Sequence, residues 1–400
     1  MSNKKSFDFA IIGGGIIGLC IAKELKTRFP DAGTAVFEKE YACGLHGSGR
    51  NSGVLHAGFY YSSDSLKARF CRDGNKALTR YCLERKIPVN RCGKLVVAQN
   101  EHEISGLEEL YKRGKANRVD LQMISVQEAR KIEPRVKTFE KAVFSPSTST
   151  TDPARVVEEI AGDLVRSGVS VYTGAKYLSR QKNTLKTAKG DFEFGYLINA
   201  AGLYADKIAK DFGFSRNYKM LPFKGIYLYS SEPQGNLKTN IYPVPDLKFP
   251  FLGVHFTLTV DGKNKIGPTA IPAFWREHYK GLENFKLNEM MEVMTTELGL
   301  FLHSNFGFRR LAFHEIKKYF RPVLVSKASK LLEGVNPANY LKWGTPGIRA
   351  QLYDVKKRNL VMDFCIEHDE KSCHVLNAVS PAFTCAMPFA GYVVDEISKK

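Results

Sequence analysis

Short uninterrupted apolar runs alternate with helical repeats at the beginning of this chain. FAIIG at 9–13 has the length of a strand, and the Ile, Leu and Ala positions from about 16 to 29 recur with a helical period until Pro30 stops them. AVFE at 35–38 makes a second strand. From Cys43 to Tyr61 the pattern gives way to Gly, Ser and His without periodicity, as in a long functional loop. A helix over 64–85 carries Leu66, Phe70, Leu78 and Leu83; LVVA at 95–98 reads as a strand and 101–115 as a helix with a polar face. Asp152 as N-cap and Pro153 at the first helical position open another helix to about Arg166, with Val156, Val157, Ile160 and Leu164 on one side. VSVY at 169–172 and a short hairpin lead into FGYLINAAG at 194–202, a buried strand whose Ala200, Ala201 and Gly202 permit close backbone approach.

Between about 215 and 345 the pattern changes to alternating strands, GIYLY at 225–229, FLGVHFTLTV at 251–260 and KIGPT at 265–269, followed by helical runs at 285–304 and 322–332. The chain then returns to its first pattern. CHVLNAV at 373–379 is a strand, Ser380 and Pro381 stand at a helix start, and 382–397 is a helix carrying Ala386, Phe389, Ala390, Val393 and Val394. These elements predict an α/β fold in which a Rossmann-like domain, made of 1–84, 146–213 and 345–400, receives an inserted, mainly antiparallel β-sheet domain of α+β character, made of 85–145 and 214–344.

The glycines at the first strand–helix turn sharpen this picture. Gly13, Gly15 and Gly18 follow the strand and open the helix, and Glu38 ends the next strand. Positions without Cβ let the chain approach a pyrophosphate at a helix N-terminus, and the carboxylate is placed to accept from a ribose hydroxyl. Strand, glycines, helix, strand and acid in this order within roughly 30 residues point to a bound dinucleotide. The helix start at Ser380 and Pro381 offers a second N-terminus to stabilise negative charge on a bound ring.

Composition adds a strong charge. The 59 Lys and Arg against 41 Asp and Glu give +18 and a pI near 9.4, a field that an acidic small molecule or an anionic membrane surface can exploit. The basic residues are scattered and accompany no nucleic-acid reader motif, so nucleic acid is not an expected partner. No apolar run reaches the roughly 20 residues needed to cross a bilayer. The N-terminus enters the first strand without a secretory pattern, and eight Cys residues without a CxxC pair suit reduced thiols, so the expectation is a cytoplasmic protein, peripheral to a membrane if bound to one. Neither HExxH nor CxxC is present, and no metal site is expected.

Longer motifs carry a resemblance. They are RNSGVLHAGFYY at 50–61, SLKARFC at 65–71, CGKLVVA at 92–98, NAAGLYAD at 199–206, PFKGIYL at 222–228, NIYPVPDLKFPFLGVHFT at 240–257, GIRAQ at 347–351 and HVLNAVSPAFT at 374–384. With them the chain resembles the FAD-dependent D-amino-acid oxidase and glycine oxidase superfamily, and within it the L-2-hydroxyglutarate dehydrogenases and oxidases. The resemblance implies a non-covalent FAD that takes a hydride from C2 of L-2-hydroxyglutarate to give 2-oxoglutarate, with electrons passing to oxygen or to a membrane quinone-linked acceptor. It implies that Gly13, Gly15, Ile16, Gly18, Glu38 and Lys39 hold the adenosine half and pyrophosphate, and that Ser48, Asn51, Ser52 and Gly53 line the flavin. Tyr177 would meet the adenine through its backbone; Ala201, Gly202, Arg349 and the run Ser380, Pro381, Ala382, Phe383 and Thr384 would close around ribityl and ring. Two positions depart from the family pattern, Arg50 where His is usual and Val379 where Pro is usual.

Oxidising a 2-hydroxy acid asks for a base near the hydroxyl, cations for the carboxylates and a hydride acceptor. Among nine His residues, His56 in the Gly-rich loop and His255 within GVHFT are the candidate bases. His46 is expected to orient its loop, while His102, His278 and His368 fall in charged stretches and read as solvent-facing. A dicarboxylate needs two anchors: Arg349, in the Gly-flanked turn TPGIRAQ, and Lys224 as the chain enters a strand, with the phenol of Tyr242 and the ammonium of Lys94 as further donors. An amino-acid or sarcosine-type oxidase on the same fold is the rival enzyme, sharing the carboxylate and the α C–H. Glu38 would also suit a nicotinamide cofactor, against which stands the C-terminal strand and helix.

Overall fold

A computed structural model describes residues 5–245, 253–303 and 308–399. The chain forms two compact units, one of Met1–Asn51, Pro153–Pro222 and Arg349–Lys400 and one of Ser52–Asp152 and Phe223–Ile348. The bounds differ from those outlined from the sequence: residues 52–84, 146–152 and 345–348 belong to the second unit, and 214–222 to the first. For 52–84 and 146–152 the reason is a small sheet in which Ser149–Thr151 pairs with both Val54–Leu55 and Val89–Asn90.

In the first unit β1 (Lys5–Ile12), α1 (Ile16–Arg28) and β2 (Thr34–Phe37) form the expected strand–helix–strand. β1 pairs in parallel with β2 on one side and with Gly190–Asn199 on the other; Ser170–Tyr172 extends the sheet beyond β2, and Ser372–Asn377 lies beyond Gly190–Asn199. Counted along the chain, the parallel strands therefore run 3-2-1-4-5. The order reverses between β1 and Gly190–Asn199, and ligands of such sheets bind at the carboxyl ends of the strands at that reversal. Gly190–Asn199 is long enough to serve two partners on its outer edge: its first half pairs with Thr184–Thr187, its second with Ser372–Asn377. Helix α1 is apolar nearly all round, with Ile16, Leu19, Cys20, Ile21 and Leu25 buried, because Pro153–Arg166 and Ala382–Ser398 both pack on it. Arg28 near its end pairs with Glu24 (2.7 Å) and with Asp395 (2.5 Å).

The second unit is built on an eight-stranded sheet: Lys342–Trp343, Leu228–Tyr229, Asn264–Gly267, His255–Leu258, Asn240–Pro243, Lys94–Val97, Lys141–Ser145 and Gln122–Ser125. Only the pair Asn240–Pro243 and Lys94–Val97 is parallel, so the inserted sheet is mainly antiparallel. Each strand sends alternate side chains to opposite faces. Leu95, Val97, Ile241, Phe256 and Ile266 enter one core, against Leu324 and Val325; Val96, Tyr242 and Val143 enter another, against Phe59, Tyr60, Leu107 and Leu110.

Several elements differ from the sequence reading. GIYLY is not one strand: Tyr218–Gly225 ends there, and Leu228–Tyr229 belongs to the eight-stranded sheet. The break is held by Thr269, whose Oγ accepts from the Ile226 N–H (3.1 Å) and whose N–H donates to the Ile226 carbonyl (3.2 Å). The 251–260 strand is His255–Leu258, with 251 and 252 outside the described residues. Arg349 stands in a strand, Gly347–Asp354, rather than in a turn. Helix Leu287–His303 is as expected, whereas Phe308–Ile316 was not foreseen, its two adjacent arginines obscuring the period. Truncating Leu19, which is fully buried on α1, is expected to lower stability by about 2–5 kcal/mol, read as a lower denaturation midpoint of the Leu19→Ala variant.

Candidate active site

The turn after β1 is shaped by crowding. Gly13 has φ +110°, and a Cβ there would lie 2.4 Å from the Ala200 carbonyl oxygen; a Cβ on Gly18 would lie 2.1 Å from the Gly13 carbonyl oxygen. Gly15 caps α1 without a side chain of its own, and no acid occupies the first turn. The helix therefore presents the positive end of its dipole without an internal counter-charge. Ser48 reaches in from the following turn, its Oγ accepting from the Ile16 N–H (2.9 Å), and Asn51 ties that turn by donating to the Ser48 carbonyl (2.6 Å). Glu38 is buried at the end of β2; its carboxylate accepts from the N–H groups of Gly14 (2.7 Å) and Glu40 (2.9 Å). A carboxylate has about four lone-pair sites, so two remain for a diol. Lys39 pairs with Glu40 and lies 5.7 Å from the Tyr204 ring centre, and His46 orients the turn through Glu40 (2.9 Å).

The other groups expected around a dinucleotide are also in this unit. Tyr177 begins the strand Tyr177–Gln181, with the Ala175 N–H bonded to the Glu38 carbonyl (2.8 Å). Ala201 and Gly202 (φ +55°) follow the strand Gly190–Asn199. Ser380 is exposed and Pro381 stands at the start of helix Ala382–Ser398, which again has neither a side-chain cap nor an acid in its first turn. Arg349 is half-buried. Ser52 and Gly53 fall in the second unit, where the Gly53 carbonyl accepts from the Thr151 N–H (2.9 Å).

In the second unit the sheet register assembles a row of rings and cations. Ile241 lies opposite Phe256 in an antiparallel pair, so Tyr242 and His255 are neighbours on the other face. Their rings stack with centres 3.7 Å apart. Lys94, diagonal to Tyr242 across the parallel pair, places Nζ 4.3 Å from the Tyr242 ring centre, 5.1 Å from that of Tyr60 and 5.4 Å from that of Phe59. It also lies 3.3 Å from His56 Nδ1. On the far side of His255 come Tyr227 (6.4 Å between ring centres) and then Lys265 (4.6 Å from the Tyr227 ring centre).

Burial governs the charges in this row. It pushes the Lys94 ammonium down to about 7 and that of Lys265 to about 8; it holds His56 well below the usual imidazole range, with Lys94 adding to the shift. The three ring faces around Lys94 act the other way and favour the ammonium by about 0.5–2 kcal/mol each. Burial raises the Tyr242 phenol well above its usual range, so it stays a donor. The His255 Nδ1 lies 3.1 Å from the Gly253 carbonyl. A carbonyl only accepts, so Nδ1 carries the proton and Nε2 is the basic nitrogen.

The structure thus unites His56, Lys94, Tyr242 and His255, and adds Tyr60 and Lys265 to them. Lys94 was legible from its place after Gly93, ahead of a strand, and from the motif CGKLVVA; Tyr60 and Lys265 carried no such signal. Lys224 is buried on another strand, Tyr218–Gly225, pairing across to Ile271, and burial lowers its ammonium. Its own burial, and after that the charge of Lys224, bring His278 down to about 4, and His278 is half-buried with its ring stacked on Trp275 (3.8 Å). His368 is half-buried on the strand Cys365–His368, and His102 is exposed.

A parallel sheet ordered 3-2-1-4-5 with two uncapped helix N-termini, in a chain that also carries a buried base and buried cations, defines a dinucleotide-dependent oxidoreductase. Residues 8–395 match the family of FAD dependent oxidoreductases, and the chain belongs to that family. It is 36% identical to the mitochondrial L-2-hydroxyglutarate dehydrogenase of Nematostella vectensis, over 98% of this chain and 91% of that protein. It is also 36% identical to the L-2-hydroxyglutarate dehydrogenase of Indibacter alkaliphilus, over 98% and 99%. Among solved structures it shares the fold of the FAD-bound, dithionite-reduced L-alpha-glycerophosphate oxidase from Mycoplasma pneumoniae (TM-score 0.77, 22% identity, 99% and 96% covered). It shares it equally with the glycine oxidase from Geobacillus kaustophilus (TM-score 0.74, 19% identity, 99% and 95% covered).

FAD is the cofactor, and the cradle fits it: Gly13 and Gly18 have no space for a Cβ, the helix behind the turn has no acid in its own first turn, and the Glu38 carboxylate ends the adjacent strand. Gly13→Ala, strained at its φ and blocked by Ala200, is expected to purify without flavin absorbance while retaining far-UV circular dichroism. The lowered Lys94 ammonium also has a consequence for stability. Between about pH 7 and 10 the unfolded chain binds a proton that the folded chain has released, so the penalty for burying this group is complete below pH 7 and is relieved as pH rises. Lys94→Met is therefore expected to gain stability over the parent at pH 7 and to lose most of that advantage by pH 10, measured by denaturant titration at both values.

Proposed function

We propose that the protein oxidises L-2-hydroxyglutarate to 2-oxoglutarate. The full-length relatives that bear that activity in their names support this substrate. Bound FAD supplies the acceptor for the hydride that leaves C2. The protein must supply the rest: a base for the hydroxyl proton, cations for two carboxylates and a fixed orientation.

His255 is the base, and the observation that carries this choice is its bond to the Gly253 carbonyl, which leaves Nε2 as the proton acceptor. His56 is less suited, being held neutral by burial and engaged with Lys94. The Tyr242 ring lies flat against His255, so the imidazolium formed on proton transfer rests on a π face. Lys94, on the same ring, opposes a second positive charge only while it is itself protonated, and burial lowers that population near neutral pH. Lys224 anchors one carboxylate, with the Tyr242 phenol as a neutral donor. Gly13, Gly15, Ile16, Gly18, Glu38 and Lys39 hold the pyrophosphate and adenosine, and Ser48, Asn51, Tyr177, Ala201, Gly202 and Ser380 to Thr384 hold the remaining cofactor. The electrons leave to oxygen or to a membrane quinone-linked acceptor, and the free thiols suit a reducing compartment.

Anaerobic addition of L-2-hydroxyglutarate is expected to bleach the flavin absorbance of the purified protein, with D-2-hydroxyglutarate and L-amino acids inert. Bleaching by an amine alone would instead make the chain an amino-acid or sarcosine-type oxidase. His255→Asn should keep its flavin and lose about 10²–10⁴-fold in kcat/KM, whereas His56→Asn should lose far less; the reverse order would make His56 the base.

A further inference from the structure

Lys265 is a charged residue in a place built for an apolar one. It is 5% exposed on the strand Asn264–Gly267, and the next residue, Ile266, is sealed in the core with Leu228 and Phe256. Strand alternation therefore turns Lys265 to the opposite face. Thr257 lies across from it on one side and Tyr229 on the other. Since Thr257 is two residues from His255 on the same strand, Lys265 shares the face that carries His255 and Tyr242.

On that face the ammonium meets rings alone. Among the described residues Lys265 Nζ has no hydrogen bond and no ion pair; it lies 4.6 Å from the ring centre of Tyr227 and 5.6 Å from that of Tyr229. Asp261, the acid whose charge reaches it, is itself held by Lys263 (2.7 Å). Burying an ammonium in this way is costly, and ring faces offset only part of the cost. A Leu or Met would fill the space without it, so the stability of the sheet gives no reason for a lysine here.

Its place in the row of rings and cations gives one. Tyr227 stands between, its ring centre 6.4 Å from that of His255 and 4.6 Å from Lys265 Nζ. A five-carbon acid spans about 5 Å from its C2 oxygen to its far carboxylate, and about 11 Å with a hydrogen bond added at each end. An acid whose hydroxyl meets His255 is thus long enough to meet Lys265 with its other end. Lys94, at the opposite end of the row, is less available, being fully buried and engaged with His56 (3.3 Å).

We propose that Lys265 binds the C5 carboxylate of the substrate and so sets the preference for a dicarboxylic over a monocarboxylic 2-hydroxy acid. This rests on the reaction proposed above, with His255 at the hydroxyl and Lys224 at the other carboxylate. Burial brings the Lys265 ammonium to about 8, which leaves it mainly charged at neutral pH, and an incoming carboxylate favours the charge further. A substrate that ends in a methyl group leaves the ammonium buried without a partner, and a site rejects a ligand most strongly when its own polar group is left unpaired.

The test compares kcat and KM of the FAD-loaded parent and of Lys265→Met with L-2-hydroxyglutarate and with L-2-hydroxypentanoate, in which a methyl group replaces the C5 carboxylate. The parent should favour the dicarboxylate. The variant should raise KM for L-2-hydroxyglutarate about 10–100-fold with kcat little changed, because a contact remote from C2 is made alike before and during hydride transfer. It should oxidise L-2-hydroxypentanoate at least as well as the parent, which also shows that it is folded. Lys265→Gln, neutral but still polar, should shift the preference in the same direction. A flavin-loaded variant that kept the parent's preference, or that lost activity equally toward both acids, would overturn the assignment and leave the reaction standing. Loss of flavin from both variants would also overturn it, making Lys265 a structural residue. A parent inert toward L-2-hydroxyglutarate would remove the reaction itself, and the assignment with it.

Discussion

Everything in the first unit depends on one close approach, the backbone at Gly13 lying against the carbonyl of Ala200. The parallel sheet makes it unavoidable. β1 is the strand at which the order reverses, so the chain leaving β1 and the chain leaving Gly190–Asn199 emerge side by side and diverge from the same point. A side chain between them would wedge the two ends apart; its absence lets α1 begin immediately behind the turn and aim its N-terminus at the gap. Glu38 and Ser48 are then placed by what surrounds that turn, through bonds to the N–H groups of Gly14 and Ile16.

The second unit solves a different problem, that of keeping cations out of water with rings as their nearest partners. Lys94 and Lys265 are buried on one sheet, and the partners closest to them are rings and a neutral imidazole. Ion pairing would lock such groups in the charged state and neutralise them toward an anionic substrate. Ring faces compensate part of the desolvation yet leave the charge available. The strand register that brings Tyr242 opposite His255 is the same register that seals Ile241 and Phe256 into the other core, so the stacked rings and the core rest on a single alignment.

Much of this was legible in the chain. Gly13, Gly15, Gly18 and Glu38 announced the nucleotide end because a local turn needs local residues, and the return of a strand and helix after 373 announced the closing of the same sheet. Long motifs around His56, Tyr242 and His255 singled these residues out, although their mutual stacking follows from pairing between strands far apart in sequence. What failed did so for identifiable reasons. Arg349 follows Gly and Pro and suggested a turn, yet the alternation from Ile348 to Tyr353 is that of a strand. GIYLY has the composition of one strand and is divided by the hydroxyl and N–H of a single distant Thr. His278 sits among charges in sequence but on an indole in space.

The interleaving of the two units bears on how a cell makes the protein. A ribosome delivers β1 and α1 first, while the strand Ser372–Asn377 and the helix Ala382–Ser398 that complete their sheet and cover α1 come last. At about 5–20 residues per second, the apolar surface of α1 waits for tens of seconds, during which the second unit, finished by Ile348, emerges from the tunnel first. The nucleotide-binding end therefore matures last, and loss of Asp395 strikes at the part synthesised earliest.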